Sequence, residues 1–164
     1  MIQGITIRLA TCSDAPDISK LIYAQFHHRT PTLAEQPTPE FFAGFAPETI
    51  KEYIGSARYR YLVALIEGQL VGVLGIRDSE RIIHLFVAES YQRRGIARAL
   101  WGRTKSELMA DGGDVRVVTN SSIYAIPVYE RFGFKAIGPR AERAGVTYVP
   151  MQLVISNSQC QQAT

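Results

Sequence analysis

The stretch "ESYQRRGIARAL", residues 89–100, puts a basic cluster and a glycine at the point where an apolar helical pattern begins. The first turn of a helix has four backbone N–H groups without internal partners, and the helix dipole adds partial positive charge there. A glycine at 95 lets a phosphate approach the backbone, and Ala97 keeps the next contact small. Arg93, Arg94 and Arg98 can pair with phosphate oxygens. Residues 92–98 therefore suit a pyrophosphate. They do not form GxGxxG, and no GxxxxGK-Ser/Thr occurs, so the usual dinucleotide and nucleoside-triphosphate signatures are missing.

Composition narrows the class. The 164 residues suit one domain with a sizeable core; 46% are hydrophobic and 20% charged, as in an ordinary soluble protein. A net charge of +3 is too small to argue for a nucleic-acid partner, because such domains concentrate a basic face. The arginines that cluster are Arg93, Arg94, Arg98 and Arg103. Cys12 and Cys160 form neither a metal spacing nor a disulfide framework, so a reducing cytoplasm is expected and no metal. No apolar run reaches the roughly 18 residues of a membrane span, and the N-terminus lacks a signal-peptide pattern.

The elements that must position the loop follow from periodicity. Residues 5–9 alternate as a strand, and Ser13 or Asp14 can cap a helix to about His28, with Ile18, Leu21, Ile22 and Phe26 on one face. The proline-rich loop "RTPTLAEQPTP" precedes a second helix over about 39–57, interrupted near Pro47. Strands are expected at 60–66 and 69–77, joined by the hairpin turn Glu67-Gly68, and at 81–87. The helix near Gly95 runs to about Ala110. A strand at 114–119, a helix at 122–132 with an irregular turn before Pro127, and strands near 134–138 and 146–155 complete the chain. Residues 139–145 read as a mobile connection, and 156–164 as a disordered polar tail after a single domain over 1–155. The order is β-α-α-β-β-β-α-β-α-β-β. It describes a mixed α/β sheet with a central parallel pair, 81–87 and 114–119, joined by a right-handed crossover.

Two motifs carry a resemblance. "LFV" followed by "QRRGIA" at a helix start resembles the acetyl-CoA motif of the GNAT superfamily of N-acetyltransferases. "TNSSIYAIPVYERFGF", residues 119–134, resembles that superfamily's asparagine/serine start, helix and Tyr-x-x-x-Gly-Phe ending. Together they span about residues 60–153. The resemblance implies a GNAT-like fold whose central parallel strands splay apart. It implies that Leu85, Phe86 and Val87 run beside the pantetheine arm of acetyl-CoA, and that Gln92, Arg93, Arg94, Gly95, Ile96, Ala97 and Arg98 hold its pyrophosphate. Asn120 and Ser122 would contact the cofactor beyond the next strand. Tyr129 would donate a proton to the departing thiolate.

The resemblance further implies direct attack of a primary amine on the thioester, polarised by a strand amide near Phe86 or Val87. Family members often carry a glutamate or histidine base on the strand before the cofactor loop. Simple alternation puts Arg81, Ile83, Leu85 and Val87 on that face and His84 on the other, so no strand base is evident. A water chain, Glu35, Glu40 or no base at all would then serve. The acceptor would be a small-molecule or protein amine; the aromatics Phe26, Phe41, Phe42, Phe45 and Tyr53 are mostly core, and the resemblance implies that some of them wall its pocket. A homodimer is possible. No nucleic-acid or membrane partner is expected. A non-catalytic acyl-CoA-binding module is the alternative.

Overall fold

The computed structural model describes residues 3–27 and 36–156. His28, Glu35, Cys160, residues 29–35 of the proline-rich loop and all of the expected tail except Ser156 lie outside them. Eight strands form one sheet in the order β1-β2-β3-β4-β5-β8-β6, with β7 also on β8. These are β1 (Ile5–Leu9), β2 (Tyr59–Ile66), β3 (Gln69–Arg77), β4 (Arg81–Val87), β5 (Val115–Ser122), β6 (Lys135–Ala136), β7 (Ala141–Arg143) and β8 (Val146–Ile155). The helices are α1 (Ala15–His27), α2 (Pro39–Ala43), α3 (Pro47–Ile54), α4 (Ile96–Met109) and α5 (Ile126–Arg131), with short 3₁₀ turns before α1, α4 and α5.

Most boundaries follow the sequence signals. Prolines open α2, α3 and α5, where a missing N–H costs nothing. Glu67 and Gly68 both have positive φ and turn β2 into β3. Asp14 starts α1: it accepts the Thr11 N–H at 2.7 Å and a two-pronged pair of bonds from Arg8 at 2.8 and 3.0 Å. The Arg8 guanidinium holds the Asp14 carboxyl below its ordinary range. Two expectations are corrected. Residues 141–143 are not a mobile connection but β7, paired with β8 from Ala141↔Tyr148 to Arg143↔Val146. The strand expected at 114–119 runs on to Ser122, so Asn120 and Ser122 close a strand instead of opening a helix.

The sheet has an apolar core on each face. One packs Ile18, Ile22, Phe45 and Ile50 of the α1–α3 layer on Val63 and Val73. The other packs Ile96, Leu100 and Trp101 of α4, with Tyr129 and Phe134, on Leu62, Leu74, Val117 and Met151. Gly72 sets the depth of α4. A Cβ there would lie 3.0 Å from Ile96 Cγ2 and 3.2 Å from Leu100 Cδ1, with Ala64 Cβ at 3.4 Å on the other side. Contact this close leaves no room for a side chain in a densely packed interior. Gly72→Val is expected to cost about 1–3 kcal/mol by overpacking and to lower Tm by several degrees, measured by calorimetry.

Candidate active site

Two strands that begin as partners and then part build the site. β4 and β5 are parallel, but they pair only at Arg81↔Val118 and Ile82↔Thr119. Beyond these positions the strands diverge. β4 stays registered with β3 from Gly72↔Val87 to Arg77↔Arg81, and β5 stays registered with β8 along its whole length. Ala88 donates its N–H to the Val71 carbonyl at 2.8 Å. Alternation along the antiparallel pair then turns the amides of Leu85 and Val87 into the gap and that of Phe86 toward β3. Of the two candidate carbonyl-polarising amides, geometry favours Val87.

The loop after β4 brings α4 to the mouth of this gap. Arg93 has φ 62° and Gly95 φ 83°, so the chain turns sharply into the helix. Gly95 caps α4 without a side-chain hydrogen bond, and the first intrahelical bond is Ala99 N–H to Gly95 O at 3.0 Å. The amides ahead of it have no intrahelical acceptor. Arg93, Arg94, Gly95 and Arg98 are exposed at this end, and the Arg94 guanidinium lies 5.2 Å from the Tyr91 ring centre. Ile96 is buried in the core, so only its backbone can face a ligand. Arg103 stands apart: it donates to Ile7 O at 2.6 Å and pairs with Glu107. It pins the middle of α4 to β1.

Gln92 joins the loop to both sides of the site. Its Nε2 donates to Val87 O at 3.0 Å and to Gln25 Oε1 at 3.1 Å. Gln25 is a buried residue that sequence reasoning missed, yet its signal was there: with Ile18, Leu21 and Ile22 it continues an i, i+3, i+4, i+7 apolar stripe, where an amide is out of place. A cleft of about 470 Å³ lies beside it, lined by Leu21, Ala24, Gln25, Ala88, Glu89 and Ser90.

Tyr129 lies under the other edge of the gap. It is buried with Phe132 and Phe134 around it, at ring distances of 6.4 and 5.3 Å. Burial pushes its hydroxyl up to about 12, while the neighbouring Thr119 hydroxyl acts in the opposite sense. It therefore keeps its proton at neutral pH. Thr119 is the last β5 residue paired with β4, and its Oγ1 donates to Ile82 O at 3.1 Å. Tyr129 is thereby placed where the strands separate. Ser122 Oγ accepts the Ala125 N–H at 3.2 Å and so caps the short turn before α5. Asn120 is exposed, opposite Pro150.

His84 stands on the face that alternation gives it, opposite Leu85 and Val87 and beside Tyr61 and Phe86. The β3–β4 register slips between Gly75↔His84 and Ile76↔Ile82, which leaves Ile83 as a bulge. Ile83 and Phe86 pack against the α1–α3 layer, while Leu85 and Val87 belong to the α4 side. Ile83 therefore does not share a face with Leu85 and Val87, contrary to the expectation. His84 Nδ1 and the Tyr61 hydroxyl share a 2.9 Å hydrogen bond, and burial lowers the imidazole to about 4. Glu40 is exposed in the first turn of α2.

The fold agrees with what comparison finds. Residues 29–155 match the acetyltransferase (GNAT) domain family, and the chain belongs to it. It is an acetyl-CoA-dependent N-acetyltransferase. No curated protein matches the sequence significantly. Solved structures with the same fold include a GCN5-related N-acetyltransferase from Rhodopseudomonas palustris, 18% identical with a TM-score of 0.75, covering 94% of this chain and 98% of that one. The PaiA N-acetyltransferase from Thermoplasma acidophilum, in complex with coenzyme A, is 12% identical with a TM-score of 0.71 and coverages of 92% and 98%. The ribosomal-protein-S18-alanine N-acetyltransferase from Escherichia coli is 21% identical with a TM-score of 0.64 and coverages of 93% and 94%. At these identities the likeness is one of fold. No described helix is long and apolar enough to cross a membrane.

The His84 environment has a measurable consequence. The folded state holds this imidazole near 4 while the unfolded chain titrates near 6.5, so the unfolded state binds the extra proton. The associated stability is complete above pH 6.5 and falls, by up to ~3 kcal/mol, as pH drops toward 4. Urea unfolding between pH 7 and 4 should show this slope, and His84→Gln should flatten it.

Proposed function

We propose that residues 92–98 hold the pyrophosphate of acetyl-CoA, that the gap edge of β4 receives its pantetheine arm, and that Tyr129 protonates the sulfur. The observation that carries this reading is the divergence of β4 and β5 above an uncapped helix start. The free N–H groups and exposed arginines there suit a pyrophosphate in charge and in donor count. The outward amides of Leu85 and Val87 suit an extended ligand that pairs as a strand does. Leu85 contributes backbone here and Phe86 does not, because the Phe86 amide turns to Val73 of β3 and its side chain packs on the α1–α3 face.

The bound donor supplies an activated acetyl thioester. The Val87 N–H donates toward the thioester oxygen as charge builds there. Attack by a neutral amine forms the C–N bond and breaks the C–S bond. Tyr129, a protonated phenol at neutral pH whose burial raises it further, gives its proton to the sulfur. The proton lost by the amine returns to the phenolate through solvent. With its imidazole lowered to about 4 and tied to Tyr61, His84 is too weak a base for an ammonium, so the amine enters already deprotonated or loses its proton to water. Asn120 and Ser122 close the β5 edge; Ser122 serves first as a cap.

Two substitutions test the assignment. Tyr129→Phe is expected to lower kcat by about 10²- to 10⁴-fold while leaving acetyl-CoA affinity nearly unchanged; equal turnover would remove the proton-donor role. Gly95→Asp places a carboxylate and a strained backbone at the helix start, and should weaken acetyl-CoA binding at least tenfold, about 1.4 kcal/mol or more, by calorimetric titration. Unchanged affinity in a folded variant would refute the loop assignment.

A further inference from the structure

The α1–α3 face of the sheet carries more aromatic surface than its core uses. Phe45 is buried at 3% exposure and serves as core. Around it, Phe26, Phe41, Phe42 and Phe86 remain only half-buried. They are contiguous: Phe26 meets Phe41 at 4.9 Å edge-on, stacks on Phe45 at 5.6 Å, and reaches Phe86 at 6.0 Å. Phe86 stands on β4 between the two residues whose amides face the gap. The aromatic wall thus runs from α2 to the strand that borders the transfer site. These rings pack on the core yet keep part of their surface exposed, which leaves a contiguous apolar face beside β4.

A second feature closes the same mouth. The Gln36 N–H donates to Gly145 O at 3.1 Å, and the Thr38 N–H donates to Ala144 O at 3.0 Å. Thr38 precedes α2, which carries Phe41; Gly145 is the turn between β7 and β8. β8 begins beyond Ser122↔Tyr148, at the open end of the β4/β5 gap. The chain is therefore clasped, backbone to backbone, across that end from the aromatic layer to the far half of the sheet. Gly145 has φ 78°, and a Cβ there would collide with the Gln36 carbonyl, so the contact has no side-chain width to spare.

Resting on the transferase reading above, we infer that the acceptor is a small primary amine with an aromatic or similarly bulky apolar body, lodged against Phe26, Phe41 and Phe86 beneath the 36–38/144–145 clasp, and not an amine on a protein. The rings give area and edge-to-face partners to such a body, and the clasp denies entry to a polypeptide laid across the mouth.

The test is steady-state acetylation at saturating acetyl-CoA with 2-phenylethylamine, ethylamine, spermidine and a hexapeptide with a free amino terminus. The expected order has 2-phenylethylamine ahead of each of the others by at least tenfold in kcat/KM. Phe41→Ala should raise its KM about tenfold and narrow its lead over ethylamine. Gly145→Val, which forces the clasp apart, should raise kcat/KM for the hexapeptide, a gain that loss of structure would not produce. Equal use of ethylamine, or preference for spermidine or the peptide, would overturn the inference, and if neither variant folds this ranking decides alone. Calorimetric titration with acetyl-CoA separates the two levels. Binding with no preferred use of 2-phenylethylamine overturns the acceptor class only, whereas no binding overturns the transferase site and the acceptor class with it.

Discussion

The structure depends on a parallel pair that is allowed to fail. Unpaired strand amides are costly when they are buried, so a sheet closes its ladders wherever it can. Here β4 and β5 keep two paired positions and then separate. What makes the separation tolerable is that each strand is fully supported on its other side. β1–β4 form an antiparallel meander, and β5, β6 and β7 all pair antiparallel to β8 in the other half. The halves are joined by those two positions and by α4, whose Ile96, Leu100 and Trp101 sit in a core shared by Leu74 on one side and Val117 and Met151 on the other. Two halves of one sheet, paired at two positions and braced by α4 and by the Gln36–Gly145 contact, can hold a wedge open that a continuous ladder would zip shut.

The electrostatics at that wedge are arranged by backbone more than by side chain. The arginines of the loop are exposed, where single ion pairs contribute little and salt screens them. The fixed donors are the amides at the start of α4, and their aim is set by the left-handed Gly95 and by the seating of Ile96 against Gly72. The two titratable rings near the gap are both held neutral by burial: Tyr129 with its proton retained, His84 with its proton lost. Both rings beside the gap are therefore uncharged at pH 7.

The strand beside the gap and the start of α4 were legible in the sequence because local rules determine them. Gly95 needs φ above zero, the "QRRGIA" pattern sits at a helix start, and Pro127 interrupts a helix whatever its surroundings. Alternation found β3 and β4 to the residue. It failed at Ile83, because a bulge depends on the partner strand and leaves no mark on the strand itself. It also failed at Ala141–Arg143, three residues too short and too polar to show a period. The end of β5 was hidden for a related reason. Asn120, Ser121 and Ser122 look like a cap, yet pairing with Pro150, Val149 and Tyr148 extends the strand through them. The contact of Gln36 with Gly145 joins segments far apart in the chain, and neither segment carries a pattern that names the other.

Gln25 shows how the two faces of the sheet are tied together. A buried amide on an apolar helix stripe is destabilising unless it is satisfied. Gln92 satisfies it, and the same NH₂ group donates to Val87 O, so one side chain spends both of its donors on opposite elements. The consequence is mechanical. The Val87 carbonyl fixes the end of β4, Gln92 begins the loop that aims α4, and Gln25 anchors both to α1, which carries Phe26. Displacing α1 pulls on the loop, and reshaping the loop leaves a buried amide without a partner. The face that carries the start of α4 and the face that presents aromatic surface therefore cannot shift independently.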